Sequence, residues 1–165
     1  APLLVARARQ HEAAGRTDRA LKLFERAMVD RFADQTLRSQ AAWHAWRIYT
    51  ARGDQRTADP RLDLSLGLNP HNARALLAQG QRQLQTQPAE SVITIQKAIL
   101  FGLRARDLGQ ANAMLAMGYA AMGRDSTARE FLALAEAGTT PEALLARARV
   151  AVESSVPSGS VAVNW

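Results

Sequence analysis

Three stretches of this 165-residue chain repeat one set of intervals: a glycine, then residues five, four and three positions further on. Gly15, Ala20, Phe24 and Ala27 form the first set, Gly53, Ala58, Leu62 and Ser65 the second, and Gly123, Ala128, Leu132 and Ala135 the third. Spacings of four and three place the last three residues of each set on one helix face. The glycine before them suits the left-handed turn that ends a preceding helix. Residues 4–28 therefore read as a helical hairpin broken at Gly15, and the chain as a series of such hairpins.

Composition points the same way. Aromatics are 5% of the chain while alanine is abundant, which favours closely packed helices over a strand-rich core. The expected fold class is all-α. Cysteine is absent, so disulfides and thiolate metal sites are excluded. No window reaches the roughly 18 uninterrupted apolar residues of a membrane span, and Ala1-Pro2-Leu3-Leu4-Val5 before Arg7 and Arg9 is not a signal peptide. A start without methionine reads as a processed or trimmed product. Of the 21 basic residues only Lys22 and Lys97 are lysine, and the net charge of +6 falls from +4 over residues 1–60 to −1 over 121–165.

Along the chain, hairpins are expected at about 3–31, 34–67, 71–101 and 107–137. In the first, Thr17 or Asp18 is placed to cap the second helix. In the second, Ala42, Ala45, Trp46 and Tyr49 form an inward stripe, and Pro60 places the start of the following helix at Asp59. The third has Ser91, Ile95 and Ala98 at the same spacing but lacks the loop glycine. Thr140-Pro141-Glu142 opens a covering helix over 141–153, completing a repeat domain of residues 1–153. The serine-rich 154–165, with Pro157 and Gly159, reads as a flexible tail or linker, with a strand-like end from Ser160 to Trp165.

Equivalent residues Ala27, Ser65, Ala98 and Ala135 lie 38, 33 and 37 apart. This resembles the tetratricopeptide repeat family over about residues 3–138. Leu115, Ala116, Tyr119, Ala128, Leu132 and Ala135 follow its pattern, with polar Asn112 a departure. Leu4, Ala8, Gly15, Ala20, Phe24 and Ala27 agree in the first unit, where Arg7 and His11 depart. Tyr49, Ala58, Leu62, Ser65 and Pro70 agree in the second, where Trp46 takes a small residue's place; in the third, Gly80 fits after a one-residue shift. The resemblance implies a right-handed superhelix of stacked antiparallel hairpins, whose concave surface holds a peptide or a partner's helix.

On that surface the resemblance places Val5, Arg9 and Glu12 from the first unit, Trp43, Arg47 and Thr50 from the second, and Leu77, Gln81 and Leu84 from the third. Ala113, Met117 and Ala120 are their equivalents in the fourth. Trp43 and Arg47 are spaced to form a cation–π pair that offers guanidinium donors to a carboxylate. The plainer alternative lays Trp43 against the next hairpin and leaves Arg47 in water. A ligand with a charged end and an apolar end would suit the whole row.

Chemistry finds no foothold, so the chain reads as a non-enzyme with no catalytic, metal or cofactor residues. His11, His44 and His71 lie in separate elements without a serine elbow or clustered carboxylates, and no glycine-rich phosphate loop is present. Asp59 and Asp63 near a helix start are explained by the helix dipole. RNA binding is a weaker alternative, because the arginines interleave with Asp18, Glu25, Asp30 and Asp34 and base-stacking aromatics are scarce. The expected role is a protein-interaction scaffold, with another protein or peptide as partner. Self-association through the uncovered first hairpin, at Leu3, Leu4 and Phe24, is a second contact. Bacterial tetratricopeptide arrays often serve polysaccharide export or pilus assembly, and the arginine-rich composition reads as bacterial. An envelope assembly module is thus the alternative role, with the periplasm placed ahead of the cytoplasm.

Overall fold

The computed structural model describes residues 2–136, all of whose regular elements are α-helices. They are α1 (Pro2–Ala13), α2 (Thr17–Val29), α3 (Gln35–Ala51), α4 (Gln55–Leu68), α5 (Ala73–Gln83), α6 (Pro88–Leu100), α7 (Ala105–Ala121) and α8 (Asp125–Glu136). The expected covering helix at 141–153 and the tail at 154–165 lie outside the described residues.

The three glycine-led intervals become three copies of one turn. Gly15, Gly53 and Gly123 have φ of 71°, 74° and 70°, the left-handed region in which a Cβ would be strained. Each ends its helix with the same bond pair. Gly15 N donates to Glu12 O and Arg16 N to His11 O; Gly53 N and Asp54 N donate to Thr50 O and Tyr49 O; Gly123 N and Arg124 N donate to Ala120 O and Tyr119 O. These are Schellman closures, which satisfy carbonyls that the helix end would otherwise leave bare. The residues at the four-and-three spacing then turn inward. Ala20, Phe24, Ala27, Ala58, Leu62, Ser65, Ser91, Ile95, Ala98, Ala128 and Ala135 are buried, and only Leu132 is partly open.

Two helix starts differ from the sequence expectation. Helix α2 is preceded by Arg16, without a side-chain cap, and Thr17 is already helical. Asp18 is drawn instead to the Arg52 guanidinium, at 2.6 Å. Helix α4 starts four residues before Asp59. Asp54 caps it by accepting from Thr57 N at 3.1 Å, and Pro60 lies within it. The proline costs a single backbone bond, to the carbonyl of Arg56, an exposed residue where water can donate in its place. The hydrogen bond from Thr57 also holds the Asp54 carboxyl below its ordinary pKa.

The chain divides into two compact units, with the boundary between Gln79 and Gly80 inside α5; Leu100–Gly102 belongs with the first. In the first unit, α1, α2 and α3 enclose Val5, Ala8, Leu21, Phe24, Met28, Ala42, Ala45 and Ile48. A second cluster there joins Leu62, Ala75 and Ala78 with Trp43, Trp46 and Leu66. Between these helices lies a buried polar knot. Ser39 Oγ donates to Ser65 O at 2.8 Å and Ser65 Oγ to Ser39 O at 2.9 Å. Asn72 Nδ2 donates to Ser39 Oγ at 2.9 Å, while its Oδ1 accepts from Ala75 N and caps α5. Asn72→Ala removes a cap and a buried donor together, and is expected to lower stability by about 2 kcal/mol in urea unfolding.

In the second unit, α7 and α8 pack through Ala113, Ala116, Ala120, Ala128 and Ala135, with Tyr119 stacked on Phe131 at 5.4 Å. Helix α6 lies close to its neighbours at two glycines. A Cβ on Gly80 would fall 2.4 Å from Ile95 Cγ1, and one on Gly118 2.6 Å from Val92 Cγ2. Ser91 Oγ fixes the first approach by donating to Gly80 O at 2.7 Å.

Candidate charged cleft on the first unit

Helices α1 and α3 bring together four side chains: Glu12 from α1, and Trp43, His44 and Arg47 from little more than one turn of α3. Arg47 lies over the Trp43 ring at 5.5 Å and bonds the Glu12 carboxylate through Nη2. The other Glu12 oxygen is 3.4 Å from His44 Nδ1. His44 is buried and stacks almost parallel on Phe24, with ring centroids 4.5 Å apart. Trp43 has a second guanidinium, that of Arg74, over its ring at 5.1 Å, so the indole is flanked by two cations.

Beside this cluster opens a cleft of about 540 Å³, lined by Glu12, Thr17, Arg47, Ile48, Ala51 and Arg52. Arg47 reaches it from the last turns of α3 and Arg52 from the C-cap of that helix, and each is met by a carboxylate from the first hairpin, Glu12 and Asp18. At the α1 end, Arg16 Nε donates to His11 Nδ1 at 2.8 Å, which requires that nitrogen to be unprotonated. The His11 pKa lies below the ordinary histidine value, first through desolvation and then through Arg16, Arg19 and Arg7. Its charged form is therefore favoured more in the unfolded chain, and this contribution to stability is kept above the unfolded pKa and lost as pH falls. An NMR titration is expected to place the His11 midpoint below that of a free histidine, and Arg16→Gln to move it upward.

The nine sequence-selected surface residues part company here. Glu12, Trp43 and Arg47 meet as described, and Thr50 is exposed one turn beyond Arg47. Arg9 is exposed and donates to Gln40 Oε1 at 3.0 Å. Gln81 is exposed. Val5, Leu77 and Leu84 are buried, because apolar side chains at those positions gain more against neighbouring helices than against water. Val5 sits in the core of the first hairpin, and Leu84 Cδ1 reaches within 3.6 Å of where a Gly118 Cβ would stand. Ala113 and Ala120 are buried as well, so the expected apolar extension of the surface is taken up by packing. Phe24, expected at an exposed edge, is fully buried too; Leu3 remains open there.

Sequence reasoning missed Arg52, Thr17 and Asp18 as cleft neighbours. Arg47 and Arg52 are five positions apart, which sets them on different sides of a helix, and their partner carboxylates come from α1 and α2, so no local spacing joined them. Among the described residues no group of three histidine, aspartate or glutamate side chains is arranged to hold a metal ion, and no helix is long and apolar enough to cross a membrane. No protein-family model matches the chain, and no curated protein matches it.

Proposed function

We propose that the chain is a tetratricopeptide-like right-handed superhelix that works as a non-catalytic scaffold for another protein, and that the cleft beside Trp43 and Arg47 receives an acidic segment or C-terminal carboxylate of that partner. The observation that carries this reading is the Arg47 guanidinium, held over Trp43 at 5.5 Å at the edge of a cleft that Arg52 also lines. Arg47 is about half exposed, with 48% of its side chain open, so its pairing with Glu12 contributes little net stability. A partner carboxylate can replace Glu12 on the guanidinium at small cost, with the indole keeping the fork in place. The three repeated glycine turns and their buried triads support the repeat reading.

The test is affinity capture with the native chain and with Trp43→Ala/Arg47→Ala as baits, each checked by circular dichroism for intact helix. A partner held by the native chain should bind the variant at least about tenfold more weakly, the loss expected for one charge-assisted contact. Glu12→Gln should bind it more tightly, since it removes the internal competitor. Equal capture by the folded variant moves the function away from this cleft.

A further inference from the structure

The outer face of α2 is where the chain's interleaved charges become sorted. Asp18 is engaged by Arg52 at 2.6 Å and Glu25 by Arg61 at 3.2 Å, the basic partners coming from the C-cap of α3 and from α4. Asp34 caps α3 by accepting from Thr36 N and Leu37 N, and Asp30 accepts from Phe32 N. The acidic side chains that alternate with arginine in the sequence are thus used within the first unit. Left on the open side of α2 are Arg19, Lys22 and Arg26, at spacings of three and four, all exposed. None of the three bonds a carboxylate among the described residues.

This basic stripe runs into an apolar end. Val29, one turn after Arg26 on the same face, is 62% exposed, and Phe32 in the following turn is fully exposed. The backbone turn that carries Phe32 is fixed by its N–H, which donates to Asp30 Oδ1 at 3.0 Å. Arg31 continues the positive charge beside Phe32.

We infer that this face docks the protein on an anionic phospholipid surface, with Arg19, Lys22 and Arg26 at the headgroups and Phe32 and Val29 entering the acyl boundary. Charge complementarity fixes the sign of the partner. The apolar residues fix its kind: Val29 is aliphatic and cannot stack on bases, so a nucleic acid would leave it in water, whereas a bilayer offers Val29 and Phe32 an apolar phase beside its anionic layer. The face is separate from the charged cleft, and the inference stands without the function proposed for it.

Cosedimentation of the full chain with phosphatidylcholine vesicles, with and without phosphatidylserine, tests it. The native chain should bind the phosphatidylserine vesicles and not the neutral ones, increasingly as salt is lowered. Each basic residue is worth about fivefold near an anionic surface, so Arg19→Glu/Lys22→Glu/Arg26→Glu should weaken binding by about 100-fold or more. Phe32→Ser, at a position with no packing to lose, should weaken it by about tenfold. Lys97→Glu/Arg124→Glu/Arg129→Glu makes the same change of net charge on exposed positions of the second unit and should leave affinity within about threefold of native. Circular dichroism establishes that each variant is folded. The inference is overturned by failure of the native chain to bind phosphatidylserine vesicles, by equal loss in the second-unit variant, or by unchanged binding of Phe32→Ser. It is also overturned if polyuridine RNA binds more tightly than the vesicles and displaces the chain from them.

Discussion

Phe24→Ala is expected to lower the stability of the first unit by about 3–5 kcal/mol, the largest loss from any single truncation there. Phe24 is fully buried in a cluster where Ala20, Ala27, Ala41, Ala42 and Ala45 stand among Val5, Leu21, Met28 and Ile48, and the alanines have few atoms with which to fill the space. Its ring also supports His44 from one side at 4.5 Å, so the cavity would open beneath the residue whose Nδ1 faces Glu12. Loss of that support should reach the cleft. Phe24→Leu retains most of the volume and is expected to cost less than about 1.5 kcal/mol. Urea unfolding of the two variants, followed by far-ultraviolet circular dichroism, measures the difference. A loss below about 1 kcal/mol for the alanine variant would mean that the core rearranges around the gap.

The second large effect belongs to the glycines that let α6 approach its neighbours. Alanine at an ordinary helix position gains about 1 kcal/mol over glycine. At Gly80 the new methyl would stand 2.4 Å from Ile95 Cγ1 and 3.2 Å from Cδ1, and Ile95 is itself fully buried. At Gly118 it would stand 2.6 Å from Val92 Cγ2. Overpacking of about 1–3 kcal/mol therefore meets a propensity gain of about 1, so alanine at either site should be destabilising by a small margin. Valine adds two further methyls to the same gap and should cost more than about 3 kcal/mol. A double-mutant cycle locates the cause. Gly80→Val combined with Ile95→Ala should be less unstable than the two single losses added together, because the large and small residues then trade places. Strict additivity would show that the approach of α5 and α6 is not set by this contact.

Hairpin periodicity was legible without coordinates, since its causes are local. Glycine at C′ closes a helix through bonds that reach back at most five residues, and the four-and-three spacing reports a helix face regardless of what packs on it. Gly15, Gly53 and Gly123 thus declared both their φ and the inward-facing triads behind them, of which only Leu132 is partly open. The start of α4 was misread for an equally local reason. Pro60 is a strong helix-start signal, but Asp54 caps earlier, and a proline one and a half turns in removes only one solvent-facing bond. Near the cleft, Trp43 and Arg47 could be paired from their spacing, because i and i+4 meet on any helix.

What the tertiary structure decided was the fate of each exposed-looking side chain. Val5, Leu77 and Leu84 share a helical register with Arg9 and Gln81, and only the neighbouring helices draw the apolar ones inward while leaving the polar ones in water. Asp18 and Glu25 look like interruptions of a basic helix in the sequence. Contacts with Arg52 and Arg61, 34 and 36 residues away, give both a basic partner within the first unit, Asp18 while still 85% exposed, and leave Arg19, Lys22 and Arg26 as a stripe. Local bonding fixes where helices begin and end; which of their charges remain free depends on long-range pairs, and sequence spacing carries no record of those.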